Sequence, residues 1–250
     1  MPHDTINHLE EVFRETEFFI LRTLTDSTLH RINVFKYANH SNAIYKVHGS
    51  DLREQGQPYS LRAWRTLQKP LTLCGPRDPS LIPLYRPGTI TQIERPCDFS
   101  IFPRKKTESP PFALHTPTNP ARKGTDLLKD NWKSDIPLEI LAHVPRDQVL
   151  TRKAQASYFI DNINPSINRG GPYGMNSVEA WYYKIPVFST YNEIDCVVCP
   201  ELPNLVYEWT GTPFIPDSWD MKYCKDYALR THDPSTIAKQ YINLRRSLEQ

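Results

Sequence analysis

The segment that most constrains this chain runs from Tyr158 to Ser189. It reads as an apolar strand, Tyr158-Phe-Ile-Asp161, a loop, a helix from Met175 to Tyr183, and a second strand, Pro186-Val-Phe-Ser189. Three of the nine glycines in the chain, Gly170, Gly171 and Gly174, fall within five positions of that loop. Glycine lets a backbone turn sharply and approach a ligand closely. A strand-to-helix junction at the carboxyl edge of a parallel sheet is where α/β proteins bind ligands. The unpaired N–H groups and positive dipole end of the helix suit a phosphate. Glu179, one turn into that helix, can reach back to accept hydroxyl hydrogen bonds, for example from a ribose. The competing reading is a tight turn followed by a helix in which Glu179 only complements the dipole.

The alternation extends to either side. Phe112–His115 and Leu138–Ala142 read as strands, Lys123–Trp132 and Arg146–Ala156 as helices. Strands alternating with helices of about ten residues give βαβ units and a parallel sheet with right-handed crossovers. Upstream, strands are expected at Thr16–Leu24, Ala43–Val47, Leu71–Cys74 and Thr89–Ile93. Short helices are expected at His8–Arg14 and Tyr59–Gln68, the second stopped by Pro70. The charged, proline-flanked run Pro103–Pro111 reads as a linker. It divides the chain into domains 1–104 and 105–250. Near the end, Ile237, Tyr241, Leu244 and Leu248 form one stripe of an amphipathic helix over Ser235–Leu248.

Charge and composition exclude several classes. Thirty Lys+Arg against 28 Asp+Glu leave a formal charge of +2, without the basic excess of a nucleic-acid binder. No apolar run approaches the roughly 18 residues of a membrane span, and the first residues lack the pattern of a secretory signal. Five cysteines, an odd number without framework spacing, suit reduced thiols and a cytoplasmic setting. Cys196 and Cys199 form one C-x-x-C, but a structural zinc site needs a second pair that the sequence does not offer.

Four segments in order carry a family resemblance. Gly171-Pro-Tyr-Gly-Met-Asn-Ser-Val-Glu-Ala-Trp-Tyr-Tyr-Lys-Ile-Pro-Val187 resembles the donor-site signature of GT-B glycosyltransferases, in particular the large group 4 of retaining enzymes. Leu114-His-Thr-Pro-Thr-Asn-Pro-Ala-Arg-Lys-Gly-Thr-Asp126 is similar to the first strand of the donor domain and its Lys-Gly loop. Val47-His-Gly-Ser-Asp-Leu-Arg53 resembles an acceptor-domain segment of some members. Ile93-Glu-Arg-Pro-Cys-Asp-Phe-Ser-Ile-Phe102 is similar to the run that precedes the interdomain linker.

The resemblance implies an α/β, GT-B-like fold of two Rossmann-like parallel-sheet domains. It implies transfer of a sugar from a nucleotide-diphosphate sugar to a glycan, lipid or protein acceptor, with no metal and no separate cofactor. Negative charge builds on the departing diphosphate, and cations with helix N-terminal N–H groups stabilise it. On this reading His48, Lys123 and Glu179 are the catalytic set. Lys123 and Arg122 clamp the phosphates, and Gly124, Gly170, Gly171, Tyr173, Gly174 and Met175 frame the donor. Gly49 and Asp51 join His48 at the cleft.

Three departures accompany the match. The sugar-facing glutamate of many members falls on Gly171. The junction Tyr183-Lys184-Ile185-Pro186 lacks the usual glycine. Only 47 residues, none of them glycine, precede His48, so the N-terminal domain is shortened and its acceptor side open, completed by another chain as in a homo-oligomer, or lost. A non-catalytic nucleotide-sugar or glycan-binding protein of this fold, and a GT-B nucleotide-sugar epimerase, are the alternative readings.

Overall fold

The structure, a computed structural model, describes residues 19–22, 43–48, 71–74, 90–106, 110–164, 173–214 and 219–248. The chain divides into two compact units. One comprises Met1–Gly75, Pro83–Ile93 and Ala238–Gln250, the other Pro76–Ile82 and Glu94–Ile237.

The first unit holds a parallel sheet, β1 (Phe19–Arg22), β2 (Ala43–His48), β3 (Leu71–Cys74) and β4 (Ile90–Gln92), in the order β1-β2-β3-β4. Each strand lies within or beside a stretch the sequence marks as one. Val47 stands opposite Leu73 and His48 opposite Cys74, which puts His48 at the carboxyl edge. The expected helices at His8–Arg14 and Tyr59–Gln68 lie outside the described residues.

The second unit alternates strands and helices. β5 (Ala113–His115) leads to α1 (Pro120–Lys123) and α2 (Thr125–Asp130), then β6 (Leu138–Ile140), α3 (Arg146–Lys153), β7 (Tyr158–Ile160), α4 (Met175–Tyr182) and β8 (Val187–Ser189). After these come α5 (Glu193–Val198), α6 (Leu202–Leu205), β9 (Tyr207–Glu208) and α7 (Met221–His232), while the last helix, α8 (Pro234–Leu248), starts in this unit and belongs from Ala238 onward to the first. The strands pair in parallel in the order β6-β5-β7-β8-β9. Such an order reverses direction between β5 and β7, the switch point where a doubly wound sheet opens a crevice.

Both faces of this sheet are covered, so its strands are apolar throughout rather than alternating. Leu114, Phe159 and Val187 pack with Val178, Ala180 and Trp181 of α4 and with Tyr227 and Ala228 of α7. Ala113, Ile160 and Phe188 face the other way, onto Leu128 of α2 and onto Tyr207. Trp181 is fully buried and donates its indole N–H to the Leu205 carbonyl at 2.9 Å.

Two expectations change. The helix anticipated at Lys123–Trp132 starts earlier, at Pro120, behind the Asn119 side chain, which accepts from the Arg122 N–H. It breaks at Gly124, whose φ of 73° ends α1 and begins α2. The boundary expected at 104/105 falls inside the second unit. Phe99 stacks on Tyr182 at 5.0 Å and Phe102 on Tyr183 at 5.7 Å. The Tyr183 hydroxyl donates to the Pro103 carbonyl at 3.0 Å, and Lys105 Nζ donates to the Tyr183 carbonyl at 2.8 Å. The start of the segment read as a linker is thus held to the end of α4, through hydrogen bonds of Pro103 and Lys105 to Tyr183 beside the packing of Phe99 and Phe102.

Candidate functional site

The candidate site lies at the carboxyl edge of the second sheet, where α4 begins. Asp161 follows β7, and Lys123 ends α1 after β5, so the two come from either side of the switch point. The Lys123 ammonium is ion-paired with the Asp161 carboxylate. That carboxylate also accepts the Gly174 N–H at 2.8 Å and the Ser177 hydroxyl. Burial alone would raise the Asp161 carboxyl. The charge of Lys123 and the hydrogen bonds from Lys123, Ser177 and Gly174 outweigh burial and hold it below the ordinary carboxylate range.

Gly124 aims Lys123. A side-chain carbon at Gly124 would stand 2.9 Å from the Asn164 backbone nitrogen, so the left-handed turn and the close approach both require glycine. The next residue, Thr125, tightens the same corner. The His115 ring donates from Nδ1 to the Ile160 carbonyl at 2.8 Å, since a carbonyl can only accept. Its Nε2 is therefore the acceptor, and the Thr125 hydroxyl donates to it at 2.9 Å. His115 is a satisfied core residue.

A cavity of about 350 Å³ opens at the carboxyl ends of β5 and β6, lined in part by Thr116, Leu141, His143, Arg146, Asn176 and Glu179. Glu179 is 3% exposed. Its Oε1 pairs with Arg146 Nη2 at 2.8 Å, and its Oε2 with Lys153 Nζ at 2.6 Å. Asn176 accepts from Lys153 at Oδ1 (3.0 Å) and donates from Nδ2 to the Thr116 carbonyl (2.9 Å), the one amide orientation that satisfies both. The Thr116 hydroxyl is buried and has no hydrogen-bond partner among the described residues. His143 presents its ring to the cavity from a left-handed backbone, φ 59°. A non-glycine residue held there carries strain of order 1 kcal/mol, and such strain gathers at ligand sites.

The residues singled out from sequence divide accordingly. Lys123, Gly174 and Met175 meet at the start of α4, and Glu179 lies further along the same helix. Arg122 precedes Lys123, its carbonyl held by the Asn164 amide at 3.2 Å. Gly124 is a structural corner. Tyr173, expected to frame a ligand, is 2% exposed, its ring 5.0 Å from Trp181 and its hydroxyl 3.5 Å from that of Tyr227. An aromatic residue in a glycine loop is here a core residue. Gly49, Asp51, Gly170 and Gly171 lie outside the described residues, as does the His48 side chain. Lys153, Arg146, Asp161 and Thr116 belong to the site without having been anticipated; for Asp161 the signal was present, as a carboxylate closing an apolar strand. Among the described residues, no group of three or more His, Cys, Asp or Glu could hold a metal ion, and no helix is long and apolar enough to cross a membrane. Cys196 and Cys199 are free thiols, the second buried.

No protein-family model matches the chain, and no curated protein matches it in sequence. Among solved structures it resembles AviGT4, a glycosyltransferase involved in avilamycin A biosynthesis. The TM-score is 0.51 at 13% identity, over 86% of this chain and 77% of that one. Looser overlaps occur with a mutant O-GlcNAc transferase from Thermobaculum terrenum (TM-score 0.43, 14% identity, 90% of this chain and 51% of that one). The calicheamicin glycosyltransferase CalG4 gives 0.34 at 9% identity, over 98% of this chain and 74% of that one. The first likeness shows the fold alone, parallel α/β sheets of the Rossmann-like kind.

Proposed function

We propose that the protein is a glycosyltransferase that takes a sugar from a nucleotide-diphosphate sugar, without a metal ion and with retention at the anomeric carbon. The observation that carries this reading is the cavity at the switch-point edge. Its wall joins the buried Glu179 carboxylate to the unpaired Thr116 hydroxyl, on the same helix whose start lies beside Lys123.

In this reading the nucleoside occupies the cavity and its ribose hydroxyls donate to Glu179. The diphosphate reaches back to Lys123, Arg122 and the first turn of α4, whose N–H groups have no partner within the helix. The bond from the anomeric carbon to the diphosphate oxygen breaks, and its electron pair leaves with the diphosphate. Lys123 and the helix dipole stabilise that charge, an effect worth about 3 kcal/mol per well-placed donor. An acceptor hydroxyl forms the new bond to the anomeric carbon, and its proton passes to the departing diphosphate oxygen. His48, at the carboxyl edge of the first sheet, serves the acceptor side. Absence of a metal requirement and retention are parts of the proposal that follow from the family resemblance.

The test is isothermal titration and thermal shift with UDP-glucose, GDP-mannose and dTDP-glucose, followed by mass spectrometry for donor hydrolysis or transfer. Binding of one donor in EDTA, and turnover lost in Lys123→Ala and Glu179→Gln, is the expected result. Binding of none of them sinks the proposal. Equal turnover in wild type and both variants sinks the residue roles.

A further inference from the structure

Lys153 is the most completely buried cation among the described residues and lies on no route to solvent. It closes α3, where a lysine ordinarily sits in water and favours the helix dipole. Here it is 0% exposed, 2.6 Å from Glu179 Oε2, 3.0 Å from Asn176 Oδ1 and 3.2 Å from the Asn176 carbonyl. Its ammonium also stands 4.7 Å from the centre of the Phe159 ring, which closes the apolar side. All three ammonium protons thus have an acceptor or a ring to face. Burying an ion costs several kcal/mol, which fixed opposite charge and hydrogen bonds must offset. The chain places that cost directly behind the one buried carboxylate of the cavity wall.

We propose that Lys153 is a positioning residue that fixes the Glu179 carboxylate toward the cavity, so that it meets a ligand hydroxyl as an acceptor without reorganising. For the ligand, the proposal rests on the nucleotide-sugar reading above. The division of labour follows from exposure. Arg146, the other partner of Glu179, has a side chain 57% exposed and lines the cavity, so it can move aside for a ligand. Lys153 cannot move, and Asn176 ties it to the Thr116 carbonyl at the end of β5. A carboxylate with a displaceable partner in front and a fixed one behind keeps its position and a cation beside it when the front partner leaves.

The charged and titratable groups facing this pair come from several elements. Arg146 and Lys153 lie on α3 and His143 on the loop before it. Cys97 and Tyr183 both feel the Glu179 charge, and Asp161 acts on Lys153 from the end of β7. Burial pulls the Lys153 ammonium below its ordinary range, while Glu179 and Asp161 oppose that pull. Burial pushes the Cys97 thiol up to about 12, and Tyr183 also rises, so neither titrates near neutrality.

The experiment has two arms on the ligand-free chain and one with ligand. Carboxyl carbon NMR, with Glu179 assigned by its loss in Glu179→Gln, is followed from about pH 5 to about pH 8 in wild type and Lys153→Met. The Glu179 carboxyl resonance responds more strongly to pH in Lys153→Met than in wild type. If that resonance responds to pH identically in the two proteins, the proposal is overturned. Thermal unfolding separates charge from packing. Should Lys153→Met fail to fold, a double variant with Glu179→Gln regains a cooperative melt if the fault is the unpaired charge. A double variant that also fails assigns Lys153 to packing and overturns the proposal. Finally, titration of wild type and Lys153→Met with UDP-glucose, GDP-mannose and dTDP-glucose reads the ligand. The diphosphate diester of these sugars does not titrate between about pH 5 and about pH 8, so any pH dependence belongs to the protein. Affinity in Lys153→Met falls at least tenfold more at the acid end than at the alkaline end, while wild type stays flat. An equal loss at both ends overturns the proposal. If wild type binds none of the three donors, the nucleotide reading fails, and the carbon titration alone decides the role of Lys153.

Discussion

Lys123 and Asp161 close an ion pair across the switch point, one following β5 and the other β7. Asp161 thereby engages the Lys123 ammonium that the proposed function assigns to a phosphate, together with the Gly174 amide just before α4. A donor diphosphate would share Lys123 with Asp161 rather than replace it. The carboxylate is fully enclosed and already committed to Ser177 and Gly174. Its part is to fix the lysine and the helix start relative to one another before any ligand arrives.

Asp161→Asn is expected to destabilise the second unit by about 2–4 kcal/mol, because it leaves a half-buried ammonium without its charge partner. The sign with pH is definite. A carboxyl held below its ordinary range adds stability above its unfolded value of about 4 and loses it as pH falls through the folded value. Urea unfolding followed by tryptophan fluorescence reports the second unit through Trp132, Trp181, Trp209 and Trp219. The gap between wild type and variant should be full near pH 6 and shrink below about pH 4. A gap of equal size at both pH values contradicts the assignment.

The helix α4 ends without the glycine expected there, and the structure shows what replaces it. Lys184 adopts φ 56°, while its N–H donates to the Trp181 carbonyl at 2.9 Å and the Ile185 N–H to the Ala180 carbonyl at 3.0 Å. These two bonds are a Schellman C-cap with lysine in the left-handed position. Glycine escapes the roughly 1–2 kcal/mol steric cost of that conformation but adds unfolded-chain entropy. Lys184→Gly is accordingly expected to raise stability by about 0.5–1 kcal/mol, and Lys184→Val to lower it by more than that. A glycine variant less stable than wild type in urea would refute this.

The parallel strands were legible because double burial makes them continuous apolar runs, as in Phe112–His115 and Tyr158–Asp161. Strand β9 was not legible, since two residues, Tyr207 and Glu208, carry no periodicity. The loop-to-helix corner was half legible: the Lys123-Gly124 pair stood out, but the early start at Pro120 depends on the Asn119 cap. Tyr173 reads in the sequence as a loop aromatic available for stacking, while its burial is set by Trp181 and Tyr227, the latter 54 positions away. Lys153 gave no signal at all. It sits where solvated helix-end lysines are common, and only Glu179, 26 residues on, makes it a buried charge.

Two buried histidines add a separate pH dependence. Burial pulls both His115 and His232 down, although each donates to a carbonyl, that of Ile160 or of Arg95. A histidine whose folded value lies below the unfolded value of about 6.5 binds its proton more readily when unfolded. Its contribution is complete above that value and is lost as pH falls toward the folded value. Stability of wild type should therefore decline between about pH 6.5 and about pH 5, before the carboxylates titrate. His115→Gln and His232→Gln should each flatten that slope, and an unchanged slope in the double variant would exclude both.

The same substitution at two glycines should give opposite results. At Gly124 a methyl meets the Asn164 backbone nitrogen at 2.9 Å, on a backbone of φ 73°. Left-handed strain and overpacking together are expected to cost Gly124→Ala about 2–4 kcal/mol. Gly174 instead has an extended backbone, φ −132° and ψ −173°, that any residue adopts. A methyl there would stand 3.7 Å from Asp161 Oδ2 and 3.9 Å from Lys123 Nζ, ordinary contact distances. Gly174→Ala should thus change stability by less than about 1 kcal/mol, the scale of an N-cap exchange. Yet that methyl covers the approach to Lys123 at the start of α4, where the donor diphosphate is proposed to lie. Donor affinity should fall about tenfold or more in Gly174→Ala, a loss of about 1.4 kcal/mol, with the melt nearly unchanged. Wild-type affinity in a folded Gly174→Ala would move the phosphate away from this corner, and with it the role given to Lys123.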